Sequence, residues 1–423
     1  MAQATSLQNI LILMPSSRDN ATTHVGIFTE SGAGGFVSDV EIQGGAIGWR
    51  AGSQQFSARS IKFTQCLTAV QMVWDWGWNW QDITVNQSVI GFNISGHGGD
   101  MGQGTGSFSL VDSYIGSTYI GILTYLASQT SLTDDSNPQQ GPNILIDNLK
   151  TDYVSHVVSH TNGTSFLNGS SGNLTVPLWG SGHRYFTNEN SASDHGTTAT
   201  GPLPPNTSVK IPSKSGGLLT SDGNLFTRSR PQYEDLTVAD FLVATEGEFG
   251  IVNNGTGDQT SAVNSFLAEA VAQGKVAYFP AGIYQVYWTV HVPVGSRIQG
   301  SAWSQIMGTG SYFSDANDTK VMVQVGTDGD TGIVEITEML FTVKGPTAGA
   351  ILMEWNVLAD EQGSAAMWDS HFRVGGASGT NLDHETCPAG SFNENCIAAS
   401  LLLHVSGSGS GYFENIWAWV ADL

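Results

Sequence analysis

The sequence predicts an all-β protein made of two tandem right-handed parallel β-helices joined by a linker, and three observations carry that expectation. Strand-like runs recur about every 22 residues in the first half, charge is sparse and glycine abundant, and one amphipathic helix precedes a second series of strands. Only 12% of the 423 residues are charged, about half of the ~25% usual in globular chains, while glycine reaches 52 residues against a usual share of ~7%. With 18 Phe, 12 Trp and 11 Tyr there is ample apolar material for a core, so the chain is not disordered.

The recurrence is carried by Leu7-Gln-Asn-Ile-Leu-Ile, Val37-Ser-Asp-Val-Glu-Ile, Ala58-Arg-Ser-Ile-Lys-Phe and Trp80-Gln-Asp-Ile-Thr-Val. Their central residues Ile10, Val40, Ile61 and Ile83 align, with last steps of 21 and 22 residues and a loop around Ser16 to Thr23 as the insertion in the longer first step. A second register reads Ile47-Gly-Trp, Val70-Gln-Met and Ile90-Gly-Phe, spaced by 23 and 20 residues. Two or three short strands per repeat, separated by Gly or Asn, suit a solenoid whose coils stack their apolar residues on one another. Leucine-rich repeats share the period, but their regular Leu and Asn pattern is absent. Residues 1–200 therefore read as one β-helix.

Residues 201–247, with Gly201-Pro-Leu-Pro-Pro, Lys214-Ser-Gly-Gly and Ser229-Arg-Pro-Gln-Tyr, are turn-rich, lack a repeat and read as the linker. Residues 248–423 form the second β-helix. A helix over 261–273, capped by Thr260 or Asp258, carries the stripe Val263, Phe266, Leu267, Ala270 and Val271 and stops at Gly274. Such a helix covers the open end that an uncapped solenoid would expose.

The net charge of −22 comes from 37 acidic residues against 15 Lys and Arg, with no basic cluster to displace counterions from nucleic acid. It also disfavours anionic membranes and polyanionic substrates, so a neutral ligand fits better. No apolar run reaches the ~18 residues of a membrane span. Sequons at Asn20, Asn86, Asn93, Asn162, Asn168, Asn173, Asn206, Asn254 and Asn317 point to a secreted glycoprotein whose signal peptide is missing. Cys387 and Cys396 are placed for a local disulfide, and Cys66 reads as a buried thiol. No metal-type Cys/His spacing appears, His156 and His160 reading as structural, and no cofactor is expected.

The run Trp74-Asp-Trp-Gly-Trp-Asn-Trp80 places four indoles at period two, hence on one face of a strand. Four Trp crowd a narrow core, so Trp76, Trp78 and Trp80 are candidates to meet a sugar ring, packing contact being the alternative. Gln54 and Gln55 are candidate partners for sugar hydroxyls, or else members of an amide ladder. Glu30, Glu354, Asp369, Glu414 and Asp422 are the carboxylates of interest, with Asp369 and Glu414 favoured as turn or coil residues.

Gly250 to Gly300 resembles the start of pectate-lyase-like β-helices, with Tyr278-Phe-Pro-Ala-Gly-Ile-Tyr284 intact and a Gly-Asp-Gly-x-Thr-Asp-Asp-Thr motif eroded to Gly257-Asp-Gln-Thr260. Longer blocks resemble fungal exo-β-1,3-glucanases of glycoside hydrolase family fifty-five. They are Lys344-Gly-Pro-Thr-Ala-Gly-Ala-Ile-Leu-Met-Glu-Trp-Asn356, Met367-Trp-Asp-Ser-His-Phe-Arg-Val-Gly-Gly376 and Tyr412-Phe-Glu-Asn-Ile-Trp-Ala-Trp-Val-Ala-Asp422. Gly34-Gly-Phe-Val-Ser-Asp39, the Trp74 to Trp80 cluster and Arg230-Pro-Gln-Tyr-Glu-Asp235 extend the likeness almost end to end.

The resemblance implies an inverting, exo-acting, monomeric hydrolase that releases glucose from β-1,3-glucan in a cleft between its two β-helices. It makes the chain a fragment, the C-terminal part of the first helix and the N-terminal part of the second. Trp417 and Trp419 become substrate-binding candidates, and Asp422 the family's cleft-facing Asp. The general acid is implied in a Gln-Thr-Glu context and another Glu in Ser-Glu-His. Neither motif occurs in these residues, so the fragment is expected to be inactive. The competing readings are a non-catalytic carbohydrate-binding solenoid and a polysaccharide lyase or polygalacturonase-like enzyme, the last disfavoured by the scarcity of Lys and Arg.

Overall fold

A computed structural model describes residues 5–15, 22–96, 104–125, 142–186, 197–202, 213–390 and 392–421. The chain divides into two compact units, Met1–Phe226 and Thr227–Leu423, a boundary inside the segment expected as a linker.

The first unit is a parallel β-helix. Thr5–Leu13, Gly35–Gln43, Ile47–Thr64, Thr68–Asn86, Ser107–Thr124 and Asn143–His160 pair in parallel along one sheet that bends round the coil. Ile10 lies opposite Val40, Val40 opposite Ile61 and Ile61 opposite Ile83, the alignment drawn from the repeat. The second register needs a correction. Trp49 lies opposite Val70 and Val70 opposite Phe92, while Ile47 faces Thr68 and Thr68 faces Ile90, so the steps are 21 and 22 rather than 23 and 20. A two-residue slip keeps the same residues on the inner face, which is why periodicity alone did not resist it.

Each coil turns at a left-handed residue. Asn9, Asp39, Ser60, Asp82, Asp112 and Asn148 occupy equivalent positions on successive coils, with φ between 47° and 59°. Asn and Asp tolerate this conformation because their short polar side chains bond locally. Here they also bond between coils: Ser60 Oγ donates to Asp82 at 2.6 Å, and Asn148 Nδ2 donates to Asp112 at 2.7 Å. At a second corner Gln65 and Gln87 are also left-handed, and Gln65 Nε2 donates to Gln87 Oε1 at 3.0 Å, an amide ladder. The far end departs from parallel pairing. Ser165–Ser170 and Leu174–Phe186 run antiparallel to Asn143–His160, and Thr197–Pro202 antiparallel to Leu174–Phe186, which occupies edges that would otherwise invite pairing. Cys66 is a buried free thiol, its pKa pushed up to about 12 by burial.

In the second unit the strand Phe241–Val243 precedes a helix, Thr260–Ala272, that lies one residue earlier at each end than 261–273. Val263, Phe266, Leu267 and Ala270 are buried, and Phe249, Phe266, Phe279 and Tyr284 meet in sequence at edge-to-face ring distances of 5.1–5.6 Å. The N-cap position falls to Gln259, not to Thr260 or Asp258, and makes no side-chain cap bond, while Asp258 Oδ1 accepts from the Thr260 amide at 2.9 Å and its hydroxyl at 2.5 Å. Behind the helix, parallel strands stack in two main sheets: Val276–Tyr278, Arg297–Gly308, Val334–Val343, Ala365–Trp368 and Tyr412–Glu414 in one, and Val290–Val292, Lys320–Val325, Ala350–Trp355 and Leu401–Val405 in the other. Gly282, between Pro280 and Tyr284, has φ +148°, and a Cβ there would stand 2.4 Å from the Asn253 carbonyl, so the Pro-x-Gly turn needs glycine.

Left-handed corners recur here at Ala302, Glu338, Asp369 and Asn415. The connecting segment is bonded to the corners of both units. In the first, Asn224 accepts from Asn148 at 2.9 Å, the Leu225 amide donates to Asp112 at 2.8 Å, and Lys214 pairs with Asp147 at 2.8 Å. In the second, Arg230 pairs with Glu338 and, at 2.9 Å, with Asp369, while Arg228 and Tyr233 both bond Glu335.

Candidate functional site

The indole run does not lie on one face. Trp76 is exposed at 53%, whereas Trp78 and Trp80 are 2% and 0% exposed, which removes those two from the candidate sugar contacts. Two phase slips explain it. Ala51 pairs with Met72 but Gly52 with Trp74, leaving Val73 as an extra residue, and the buried positions step by three again from Asp75 to Trp78 while the pairing stays in register. Inward positions therefore run Met72, Asp75, Trp78 and Trp80, with steps of three before the regular step of two.

Nor is the core too narrow. Trp78 stacks on Phe56 at 4.6 Å and on Trp80 at 5.4 Å, and Trp80 meets Trp49 at 5.2 Å and Phe92 at 5.4 Å. The indole N–H of Trp78 donates to the Ser53 carbonyl at 3.1 Å, and that of Trp74 to the Glu30 carbonyl at 2.7 Å. Gln55 is exposed and lies in register with Gly77, next to Trp76, and Gln54 is half-buried. Exposed Trp76 and half-buried Trp74 meet edge to face at 6.4 Å and make one outward patch on the first unit.

Beneath it, Asp75 is buried at 2% exposure. Its Oδ1 accepts the Gly106 and Ser107 amides at 3.0 Å each, and its Oδ2 has no partner. Burial raises its pKa to about 7 against those two bonds. Asp75 was not singled out from the sequence; the available signal was a lone carboxylate between two Trp.

In the second unit Trp417 and Trp419 project from one strand and stack at 5.2 Å with rings 7° apart, both half-buried. The preceding coil supplies their setting. The Arg373 guanidinium lies 5.0 Å from the Trp419 ring centre and donates to the Gly375 carbonyl at 3.2 Å. His371 Nδ1 accepts the Trp417 amide at 3.2 Å, and burial holds its pKa below the usual value although Asp369 opposes this, so a neutral acceptor is favoured. Neither His371 nor Arg373 was singled out from sequence; their place two residues apart on the coil before Trp-Ala-Trp was the available signal.

Asp422 lies outside the described residues. Asp369 accepts from Arg230 at 2.9 Å and Asn415 at 2.5 Å, and Glu414 is buried and accepts the Tyr412 hydroxyl. Glu354 accepts from Asn356 at 3.0 Å and contacts His404 at 3.3 Å. Cys387 and Cys396 form a disulfide. His156 packs edge-on against Tyr119 at 5.6 Å, and among the described residues no group of three His, Cys, Asp or Glu is placed to hold a metal. No helix among them is long and apolar enough to cross a membrane.

Stacked parallel coils, with a helix packed on the core of the second unit, define a parallel β-helix protein. The chain belongs to the rhamnogalacturonase A/epimerase, pectate lyase-like family, whose profile matches residues 1–93 and 247–383. Over its whole length it is 40% identical to a protein named non-secreted LysM effector LysM15 from Penicillium expansum, covering 29% of that protein. It is 35% identical to a glucan 1,3-beta-glucosidase of Cochliobolus carbonum, covering 50% of it, and 32% identical to a probable glucan endo-1,3-beta-glucosidase of Arthroderma benhamiae, covering 57%. The chain thus spans between about a third and just over half of these relatives.

Proposed function

We propose that this chain supplies the glucan-binding part of a glycoside hydrolase acting on β-1,3-glucan, exo-acting and inverting as its sequence motifs imply. The observation that carries the reading is the parallel Trp417–Trp419 pair, whose indole surface suits the C–H face of a glucose ring. Arg373 and the neutral His371 fix the pair from the coil below, which keeps the platform rigid. The relatives named as glucan glucosidases support the substrate class. In this reading Asp422, three residues beyond Trp419, orients substrate or water, and Trp76 with Gln55 offers a second sugar contact.

The decisive experiment measures laminarin binding by isothermal titration calorimetry on the chain and on Trp419→Ala. At least tenfold weaker binding with unchanged melting supports the reading; equal affinity overturns it. An extracellular location is part of the proposal, in keeping with a disulfide that an oxidising compartment sustains. Recovery of the protein from cells rather than culture medium, as the name of the Penicillium relative would suggest, would remove that part.

A further inference from the structure

A second opening lies on a different sheet of the second unit, bounded by Trp288, His291, Tyr312, Lys320 and Gln324 and holding about 450 Å³. That volume falls in the ~300–1,000 Å³ range of ligand sites. Trp288 is 55% exposed, and its ring meets Tyr312 at 4.7 Å and 48°, forming an aromatic corner open to solvent. The corner is fixed from behind. Thr260 Oγ1, itself bonded to Asp258, accepts the Tyr287 and Trp288 amides at 3.0 and 3.3 Å, and Thr289 Oγ1 donates to the Val321 carbonyl at 2.7 Å. The first residue of the helix thus holds the turn that presents Trp288.

From this corner runs a polar column. His291, Gln324, Glu354 and His404 are in register on four neighbouring strands. His291 Nδ1 and Gln324 Oε1 are 3.0 Å apart, as His404 Nδ1 and Glu354 Oε2 are at 3.3 Å. Three interstrand steps of ~4.8 Å make the column ~14 Å long, the reach of a short sugar chain. Its chemistry excludes an anion: Lys320 is already paired with Asp318 at 2.7 Å, and Glu354 adds a negative charge.

We propose that Trp288 and Tyr312, with His291 and Gln324, form a second binding site for a neutral oligosaccharide, separate from Trp417 and Trp419. One sugar ring stacks in the aromatic corner, and the hydroxyls of the following units bond along the column. The site rests on its own geometry and not on the hydrolase reading.

The test titrates laminarihexaose and cellohexaose into the full chain and into Trp288→Ala, Gln324→Ala and Trp419→Ala, with melting curves for each. The expected result is at least tenfold weaker binding of one or both sugars to Trp288→Ala and several-fold weaker binding to Gln324→Ala, both melting as the parent does. Parental affinity and stoichiometry in both variants would overturn the site, as would absence of binding of either hexaose to the parent. Loss in Trp419→Ala alone would leave the proposed function standing and sink this site; loss in the Trp288 and Gln324 variants alone would do the reverse.

Discussion

The two units solve the same problem, stacking coils at a fixed spacing, with different interiors. The first fills its core with indoles, Trp49, Trp78 and Trp80 against Phe56, Phe92 and Phe108. The second also buries two indoles, Trp355 and Trp368, but spreads them among Val, Ile and Met layers, with Phe and Tyr edge to edge beneath the helix. Their Trp pairs differ in the same way. Trp78 and Trp80 sit two apart on a strand and face in, whereas Trp417 and Trp419, also two apart, line an outer surface. Spacing alone therefore says that two side chains share a face and never which face. Only the phase of the strand relative to the corner decides that.

The largest expected effect tests the inward phase. Trp80→Ala removes a fully buried indole from contact with Trp49, Trp78 and Phe92 and should cost about 3–5 kcal/mol in the first unit's unfolding. Trp76→Ala, in the same run but exposed, should stay within ~0.5 kcal/mol. Chemical denaturation of the two variants measures the contrast. Equal losses would mean that the inward phase from Met72 to Trp80 is misplaced.

Next in size is Asp75, whose buried Oδ2 has no hydrogen-bond partner, whereas Glu335 and Asp369 in the second unit are paired with Arg228 and Arg230. Its pKa is raised from 3.8 to about 7, so the folded state binds the proton more tightly than the unfolded chain does. Stability is then fully present below about pH 4 and is lost as pH rises through about 7. A shift of that size corresponds to about 4 kcal/mol at most. Melting curves between pH 4 and 8 should show this loss, and Asp75→Asn should flatten it. A profile unchanged by the substitution would remove Asp75 as its cause.

Much of this fold was legible because the repeat is physical: coils must stack in register, so Ile10, Val40, Ile61 and Ile83 had to align, and they do. The capping helix was legible because its stripe has period 3.6. What stayed hidden were features set by neighbouring coils. The inward turn of Trp78 follows from an extra residue at Val73, which shows only against Gly52 on the adjacent coil. The antiparallel end of the first unit depends on where the chain turns back, and no periodicity records that. The setting of Trp417 and Trp419 comes from His371 and Arg373, about 46 residues earlier in sequence and one coil away in space. The opening at Trp288 was missed for the same reason, since Tyr312 and Gln324 reach it from other coils.

The smallest effects separate the two sets of corner residues. In the second unit Arg230 neutralises Glu338 and Asp369, which stand on successive coils, and Asp369 is 6% exposed in its side chain. Arg230→Ala leaves two adjacent carboxylates without their shared cation and should cost about 3 kcal/mol. In the first unit, beside the Lys214–Asp147 ion pair, Asn224 makes an uncharged clip by accepting from Asn148 at 2.9 Å. Asn224→Ala should cost only about 1 kcal/mol, the usual worth of a neutral hydrogen bond. Salt sharpens the contrast, because screening weakens repulsion between carboxylates and leaves a neutral bond alone. Raising ionic strength from 0.05 to 0.5 M (roughly a threefold shorter screening length) should recover part of the Arg230→Ala loss and none of the Asn224→Ala loss. Equal salt responses in the two variants would show that the corners are held by shape and not by charge.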